Sequence, residues 1–335
     1  MTGRGNALSG EQDCVPAFEL GGSHVDAAVV APSQGATGPV ARRAVDPAGS
    51  AEAVLSAVAA CADAVEATAG AVWGAAVPGP VDHRTGTGLY TGVGKFDALN
   101  GVNIASGLAH RMTHPPSSIS FLNDAAAFAL GEWLVGAAAG ASRVLGLTIG
   151  SGIGSGFLVD GAVLTDGPDI PPGGRVDLLE LDHRPLEETV SRRAIRAAVA
   201  HRRGRGTGVS GSTLPQHADV HEIAAAARQG NRLCREALDS AFGGLGRALG
   251  PVLDGFNPDV VVLGGAVARS WDLIAEPLIR GLGPGPARLW QIRLAALPDT
   301  AGLIGAAWHA TRDDDPVLCG TLPTSRSSGR RRSPD

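Results

Sequence analysis

Leu147-Thr148-Ile149-Gly150-Ser151-Gly152-Ile153-Gly154-Ser155-Gly156-Phe157-Leu158-Val159-Asp160-Gly161 decides how the chain is read. An apolar strand (144–149) enters a run of alternating glycines (150–156), and a second apolar strand (157–160) leaves it. Glycine has no β-carbon, so such a tip turns sharply and brings its backbone N–H groups close to an anion. Thr148 and Ser151 add hydroxyl donors. Two better-known phosphate loops do not fit. The GxxxxGK[ST] loop needs a lysine inside it, and the single lysine of the chain is Lys95. The dinucleotide loop needs GxGxxG opening a helix, whereas here a strand follows. Either a β-hairpin phosphate clamp built on Thr148, Gly150, Ser151, Gly152 and Gly154 remains, or a glycine-rich hairpin with no ligand.

The same design opens the chain. Val15 to Leu20 reads as a strand, Gly21-Gly22 as its tight turn and Val25 to Val30 as its antiparallel partner. Glu19, Gly21, Gly22 and Ser23 therefore form a second tip, with an acid on the strand and a hydroxyl after the glycines. Two such tips could grip a triphosphate from opposite sides, with Glu19 near a hydrated Mg²⁺. Gly-Gly is also an ordinary hairpin turn.

Between and beyond these tips the pattern alternates. A helix is expected over 51–67 with Ser50 as its cap, a strand over 71–77 stopped by Pro78-Gly79-Pro80, and a helix over 103–112. A short strand (118–122) runs into Asn123-Asp124 and a helix over 125–137. Helices at 187–202, 218–229 and 231–254 follow the second tip. Then come a buried strand (259–265) entering a helix, a last strand (292–297) and a helix (301–311) placed to return to the first half. Residues 1–14 and 313–335 are expected to be disordered ends, and 204–216 a flexible insertion. The ordered part divides into an N-terminal lobe (15–122), a C-terminal lobe (123–300) and the returning helix (301–312).

Composition narrows the function. The 335 residues are 44% hydrophobic and 18% charged, enough to bury two cores. A net charge of −5 gives no basic footprint for nucleic acid. No apolar run is long enough to span a membrane, and the N-terminus lacks the apolar core of a signal peptide. The four cysteines (Cys14, Cys61, Cys234, Cys319) show no paired spacing, which fits a reducing cytoplasm and neither a zinc knuckle nor a dithiol motif.

Two more positions carry chemistry. Asp124 follows a strand and starts a helix, where ligands of α/β folds gather; such an acid is also a common helix cap. Gly264-Gly265-Ala266 ends an apolar strand, and its small residues leave room for a flat base or a phosphate. A plain strand-to-helix turn explains it equally.

Taken in order, these features resemble the ROK family of sugar kinases and repressors, within the actin-like ATPase superfamily. ELGGS looks like the family's first phosphate motif, AAVPGPVD (75–82) its PGPVD turn and FLNDAAAFALGEW its catalytic-acid segment. LTIGSGIGSGFLVDG looks like its second phosphate motif and NPDVVVLGGAV (257–267) its adenosine motif. The similarity runs from about residue 15 to 312. It implies an α/β, two-lobed actin-like ATPase (ribonuclease H-like) fold with a cleft between lobes that closes on ATP, Mg²⁺ and a sugar. Asp124 would be the general base and Asn123 would hold a neighbouring ring hydroxyl. Glu187 matches a sugar-contacting glutamate, with Glu188 as the lesser candidate.

Departures from the family pattern bear on the substrate. Glu19 stands where the family usually has aspartate. The cysteine cluster that binds zinc in many members is missing from 166–188, so no structural zinc is expected. The glutamate and histidine that usually precede that cluster are not recognisable; Arg175 and Asp177 are nearest. Lys95, Asn100 and Asn103 lie in the loop expected near the sugar, although Lys95 also reads as a surface lysine. His24 and His183 read as solvated or capping. The acceptor is accordingly expected to be a hexose or a hexose-like carbocycle such as a C7-cyclitol, with no nucleic-acid or membrane partner; a homodimer is expected by analogy. A sugar-sensing repressor would need a DNA-binding domain, and the roughly 14 residues ahead of the first strand are too few. An inactive sugar- or nucleotide-binding protein is the remaining alternative.

Overall fold

Alternation along the first strand sets the architecture. In β1 (Val15–Leu20), Phe18 and Leu20 point into one apolar cluster, while Ala17 packs into another on the opposite face with Glu19 beside it. The structure, a computed structural model, describes residues 14–204, 215, 218–283 and 291–319. The expected leader up to residue 13, most of the insertion at 204–216, and the tail beyond 319 lie outside the described residues.

Along the chain, β1 turns into β2 (His24–Ala31), followed by β3 (Ala36–Thr37), β4 (Ala41–Ala44), α1 (Ala51–Ala62) and β5 (Val72–Val77). The small pair β6 (Val81–Asp82) and β7 (Thr87–Gly88) precedes α2 (Ile104–Ala109), β8 (Ser118–Asn123) and α3 (Asp124–Val135). The second half opens with β9 (Arg143–Ile149), β10 (Ile153–Val159) and β11 (Ala162–Leu164), then the pair β12 (Glu180–Leu181) and β13 (Arg184–Pro185). It continues through α4 (Glu187–Val190), α5 (Arg192–Gly204), α6 (Val220–Arg228), α7 (Arg232–Phe256), β14 (Val260–Gly264), α8 (Trp271–Leu282), β15 (Gln291–Leu294), α9 (Ala301–Ala310) and β16 (Val317–Leu318).

Two sheets result. The first runs β16-β8-β5-β1-β2-β3, with β4 also on β2; the second runs β11-β10-β9-β14-β15. Each couples an antiparallel glycine-tipped hairpin to parallel neighbours: β1 with β5 and β5 with β8, β9 with β14 and β14 with β15. One core cluster joins them, taking Ala17, Val30 and Ala76 from the first sheet, Val144, Leu158 and Val262 from the second, and α3 and α9 between. A β-carbon on Gly131 of α3 or Gly305 of α9 would run into the backbone of the opposing helix, so these glycines set the close crossing of the two. Helices α1 and α2 cover the outer face of the first sheet, and α5 to α8 that of the second. No described helix is long and apolar enough to cross a membrane.

Several expectations need correction. The tip at 150–156 is shorter: Gly150 N–H donates to Gly152 O at 2.9 Å and β10 begins at Ile153, placing Gly154 and Gly156 inside a strand. The helix expected over 187–202 is two, broken at extended Ser191, whose buried hydroxyl accepts from Ala194 N–H at 3.2 Å as the cap of the second. The first helix stops at Ala62 rather than at 67. A 3-10 turn (Ala266–Ser270) separates β14 from α8, so no α-helix starts directly after Gly265. The tail expected from 313 is ordered as far as 319: Val317 and Leu318 pair with Ile119 and Ser118 on the otherwise open edge of β8, and Ser120 donates to Asp313.

Candidate active site

Asn123 and Asp124 occupy the last position of β8 and the first of α3. Asn123 Oδ1 accepts from Ala125 N–H at 3.1 Å and Ala126 N–H at 3.2 Å, capping the helix. With the cap supplied by its neighbour, Asp124 Oδ1 takes Ala125 N–H at 2.9 Å and Asn123 Nδ2–H at 3.0 Å. Burial raises the Asp124 carboxyl to about 6, against the opposing pull of Ala125 N–H, the Lys95 ammonium and the Asn123 amide. A carboxylate poised near neutrality, held by a rigid helix start, is suited to accept a proton.

Its surroundings explain that position. Pro78 O accepts from the Tyr90 hydroxyl at 2.7 Å, which fixes the Pro78-Gly79-Pro80 turn beside Asn123. Tyr90 is fully buried, and burial together with the Asp124 charge keeps its phenol neutral. Beneath α3, a β-carbon on Gly154 would stand 2.7 Å from Ala125 Cβ, and one on Gly156 2.7 Å from Ala126 Cα. The two strand glycines thus let the first turn of α3 lie on the hairpin. Gly154, expected in the phosphate clamp, pairs with Thr148 and faces Ala125.

The two tips meet. A β-carbon on Gly22 would stand 2.9 Å from Ser151 Oγ, and Lys95 Nζ donates to the same hydroxyl at 3.2 Å. Glu187 lies against the second tip, its Oε1 3.1 Å from where a β-carbon of Gly152 would be. Glu19 sits opposite Asp26 in the β1–β2 ladder and against Gly302 in the first turn of α9. Burial, then the charges of Asp124 and Asp26, raise its carboxyl to about 8, with Arg42 acting the other way. Among the described residues no side chain hydrogen-bonds Glu19. Ser23 Oγ lies 3.4 Å from His24 Nδ1. Gly264 packs on the Phe128 ring, Gly265 takes φ +83° against Ile149, and Ala266 is exposed.

Other candidates are engaged elsewhere. Asn103 caps α2 from Oδ1 to Ser106 N–H (2.8 Å), and its Nδ2 donates to Thr85 O (2.7 Å). Asp177 is held by Arg175 through bonds of 3.2 and 2.5 Å. That segment is anchored by Ser155, whose hydroxyl donates to Gly174 O at 2.5 Å and accepts from Val176 N–H at 3.1 Å. Glu188 pairs with Arg184. Tyr90, the pair of buried Asp26 with exposed Arg42, and Asp299 went unnoticed in the sequence. Only Tyr90 carried a signal, as the single tyrosine of the chain.

Comparison with known proteins gives the family and the fold. The ROK family model matches residues 15–169 and 182–313. Glucokinase from Thermotoga maritima is 28% identical over 249 residues, 69% of this chain and 76% of its own. The structure of a ROK hexokinase from Thermus thermophilus superposes with a TM-score of 0.66 at 26% identity, covering 89% of this chain and 98% of that one. A ROK family glucokinase from Streptomyces griseus, in complex with glucose and AMPPNP, gives a TM-score of 0.70 at 23% identity over 90% of this chain and all (100%) of that one. The chain belongs to the ROK family and has its two-lobed actin-like ATPase fold.

Proposed function

We propose that this protein is an ATP-dependent kinase that phosphorylates the primary hydroxyl of a hexose or a hexose-like cyclitol. It is a phosphotransferase of the sugar-kinase type, in keeping with relatives named glucokinase, N-acetylgalactosamine kinase and N-acetyl-D-glucosamine kinase. The observation that carries the reading is Asp124: a half-buried acid at a helix start, raised to about 6, beside the place where the Gly22 and Ser151 tips meet.

The chemistry follows from that placement. A primary hydroxyl is a poor nucleophile at neutral pH. As its oxygen bonds to the γ-phosphorus, Asp124 takes the proton, and the bond from the γ-phosphorus to the bridging oxygen breaks with its electron pair left on ADP. Positioned general bases typically contribute about 10²–10⁴-fold. Asn123 holds the acceptor beside the base, and the backbone N–H groups of the two tips bind the phosphates. The residues suit a hydrated rather than a directly ligated divalent cation: Glu19 is half-buried with no hydrogen-bonded counter-charge, and among the described residues no group of three or more His, Cys, Asp or Glu side chains is arranged to hold an ion. When bound, Mg²⁺ supplies charge neutralisation for the phosphates; Glu19 would hold it through water.

One side of the acceptor pocket departs from the family pattern. The Arg175–Asp177 pair occupies the segment where the resemblance calls for a glutamate and a histidine. A site built to bond particular hydroxyls can discriminate by about 10⁴–10⁵, so we place the difference from glucose at or near C1, including carbocyclic mimics. A cytoplasmic location, where ATP and sugars are at hand, belongs to the same reading. The test is ATP turnover by purified protein with glucose, N-acetyl sugars and valienone-type cyclitols. Strong, exclusive glucokinase activity refutes the non-glucose acceptor. Unaltered turnover by Asp124→Asn refutes the assigned base.

A further inference from the structure

Free positive charge is scarce in this cleft. The charges of Asp124, Asp26 and, more weakly, Asp299 all act on Glu19. Arginines of the two lobes are committed to carboxylates, Arg192 beside the second tip among them, through Nε and Nη2 to Asp219 at 2.6 and 2.7 Å. Arg42 donates through Nε and Nη2 to Asp26 at 2.6 and 2.7 Å, and Arg175 is held by Asp177. A triphosphate entering such a site brings more negative charge to a place that already has an excess.

Lys95 is differently placed. Its ammonium bonds a neutral hydroxyl, Ser151 Oγ, at 3.2 Å, so its charge is not cancelled there. The loop that carries it is fixed next door. Phe96 is buried against the Tyr90 ring (centroids 5.9 Å apart), and its N–H donates to Pro47 O at 2.6 Å. Gly94 N–H donates to Asp97 Oδ1 at 3.1 Å. The side chain therefore extends from a pinned base to a point shared by three parts of the site. The second tip supplies Ser151, the first tip abuts the same hydroxyl through Gly22, and Asp124 feels the ammonium charge. A phosphoryl group held by both tips and attacked by an alcohol at Asp124 passes through that point.

Resting on the kinase reading above, we propose that Lys95 is a catalytic residue of phosphoryl transfer, its ammonium moving from Ser151 onto the γ-phosphate oxygens of ATP rather than contacting a hydroxyl of the acceptor. The acceptor O–P bond forms, the bond between the γ-phosphorus and the bridging oxygen breaks with its electrons on ADP, and the acceptor proton goes to Asp124. Lys95 keeps its own proton throughout and offsets charge on the three oxygens of the moving group. A compact ammonium on a flexible stem follows such a group more readily than a planar guanidinium. That accounts for a lone lysine in a chain whose other 27 basic residues among Lys and Arg are arginine.

The test compares ATP with ADP. Affinities of both, in Mg²⁺, are measured by calorimetry for wild type, Lys95→Met and Lys95→Arg, alongside turnover; thermal melts confirm that the loop variants fold. Lys95→Met is expected to weaken ATP about tenfold while changing ADP less than about threefold, and to lower kcat by about 10²-fold with the acceptor KM nearly unchanged. Lys95→Arg should recover part of the ATP preference. Equal losses for ATP and ADP, a raised acceptor KM with kcat kept, or unchanged behaviour each overturn the proposal. The nucleotide comparison needs no acceptor. A wild type that prefers ATP through Lys95 yet phosphorylates nothing refutes the kinase reading, and with it the catalytic role, while the γ-phosphate contact of Lys95 stands; active protein indifferent to Lys95→Met refutes this inference alone.

Discussion

Glu19→Gln removes the most displaced acid of the cleft without altering its shape, and the consequences depend on pH in a defined direction. The Glu19 carboxyl is raised from 4.5 to about 8, first by burial and then by the charges of Asp124 and Asp26. Between those values the folded chain keeps a proton that the unfolded chain has released, so wild-type stability falls as pH climbs through the window. At about 1.36 kcal/mol per unit, a shift of this size sets a ceiling near 5 kcal/mol. Water penetration, structural relaxation and the first turn of α9 beside the carboxyl reduce that, and about 1–2 kcal/mol is the working expectation. Glutamine carries no such penalty. Thermal melts of wild type and Glu19→Gln without nucleotide should therefore agree near pH 5 and separate by about 2–6 °C at pH 8.5, the variant being higher. Phosphoryl transfer by the variant should be severely reduced, and Mg²⁺ with ATP should raise the wild-type melting temperature more than that of the variant. A melting difference that stays flat across pH, or a variant that falls behind as pH rises, would refute the reasoning.

Three further outcomes follow from the same geometry. Because the Asp124 carboxyl lies at about 6 and must be unprotonated to act, kcat/KM for the acceptor should rise with pH through about 6 and level off above it; a pH profile checks this, and Asp124→Asn should lower kcat by about 10²–10⁴-fold with ATP affinity nearly intact. Gly154→Ala puts a β-carbon 2.7 Å from Ala125 Cβ and from Thr148 Oγ1, so it should cost about 1–3 kcal/mol in urea unfolding and lower kcat more than it weakens nucleotide binding. Glu132, fully buried, accepts from the N–H groups of Ala137 (2.7 Å), Ala296 (3.1 Å) and Leu297 (2.7 Å), and Glu132→Ala should destabilise by about 3 kcal/mol or more in the same assay by stranding those donors.

The features legible in the sequence are those whose cause is local. A hairpin tip needs glycines next to each other in the chain, and Asn123-Asp124 declares a strand ending in a helix cap because both partners of that cap lie within three residues. What escaped notice depends on residues far apart. Ser191 reads as mid-helix until its burial and its bond to Ala194 show it capping a new one. Val317 and Leu318 follow three aspartates and a proline, and only the open edge of β8 makes a strand of them. Glu19 is perturbed by Asp299, 280 positions away along the chain and near it only because α9 returns to β1.

The glycines after residue 152 show most about how the site is built. Alternation of Gly with Ile and Ser looks like one long phosphate loop, because backbone freedom is what glycine advertises in isolation. In the fold, Gly154 and Gly156 are ordinary strand residues, and what matters is the space that their missing β-carbons leave for Ala125 and Ala126. The proposed base, Asp124, is the residue just before those alanines. Its place therefore depends on the same hairpin whose tip holds Ser151, and the proposed donor-binding loop and the proposed base form one mechanical unit. A change that lifts α3 off β10 by a fraction of an ångström moves the base relative to the phosphate, which is why a methyl group at Gly154, in contact with neither substrate, is expected to act on kcat.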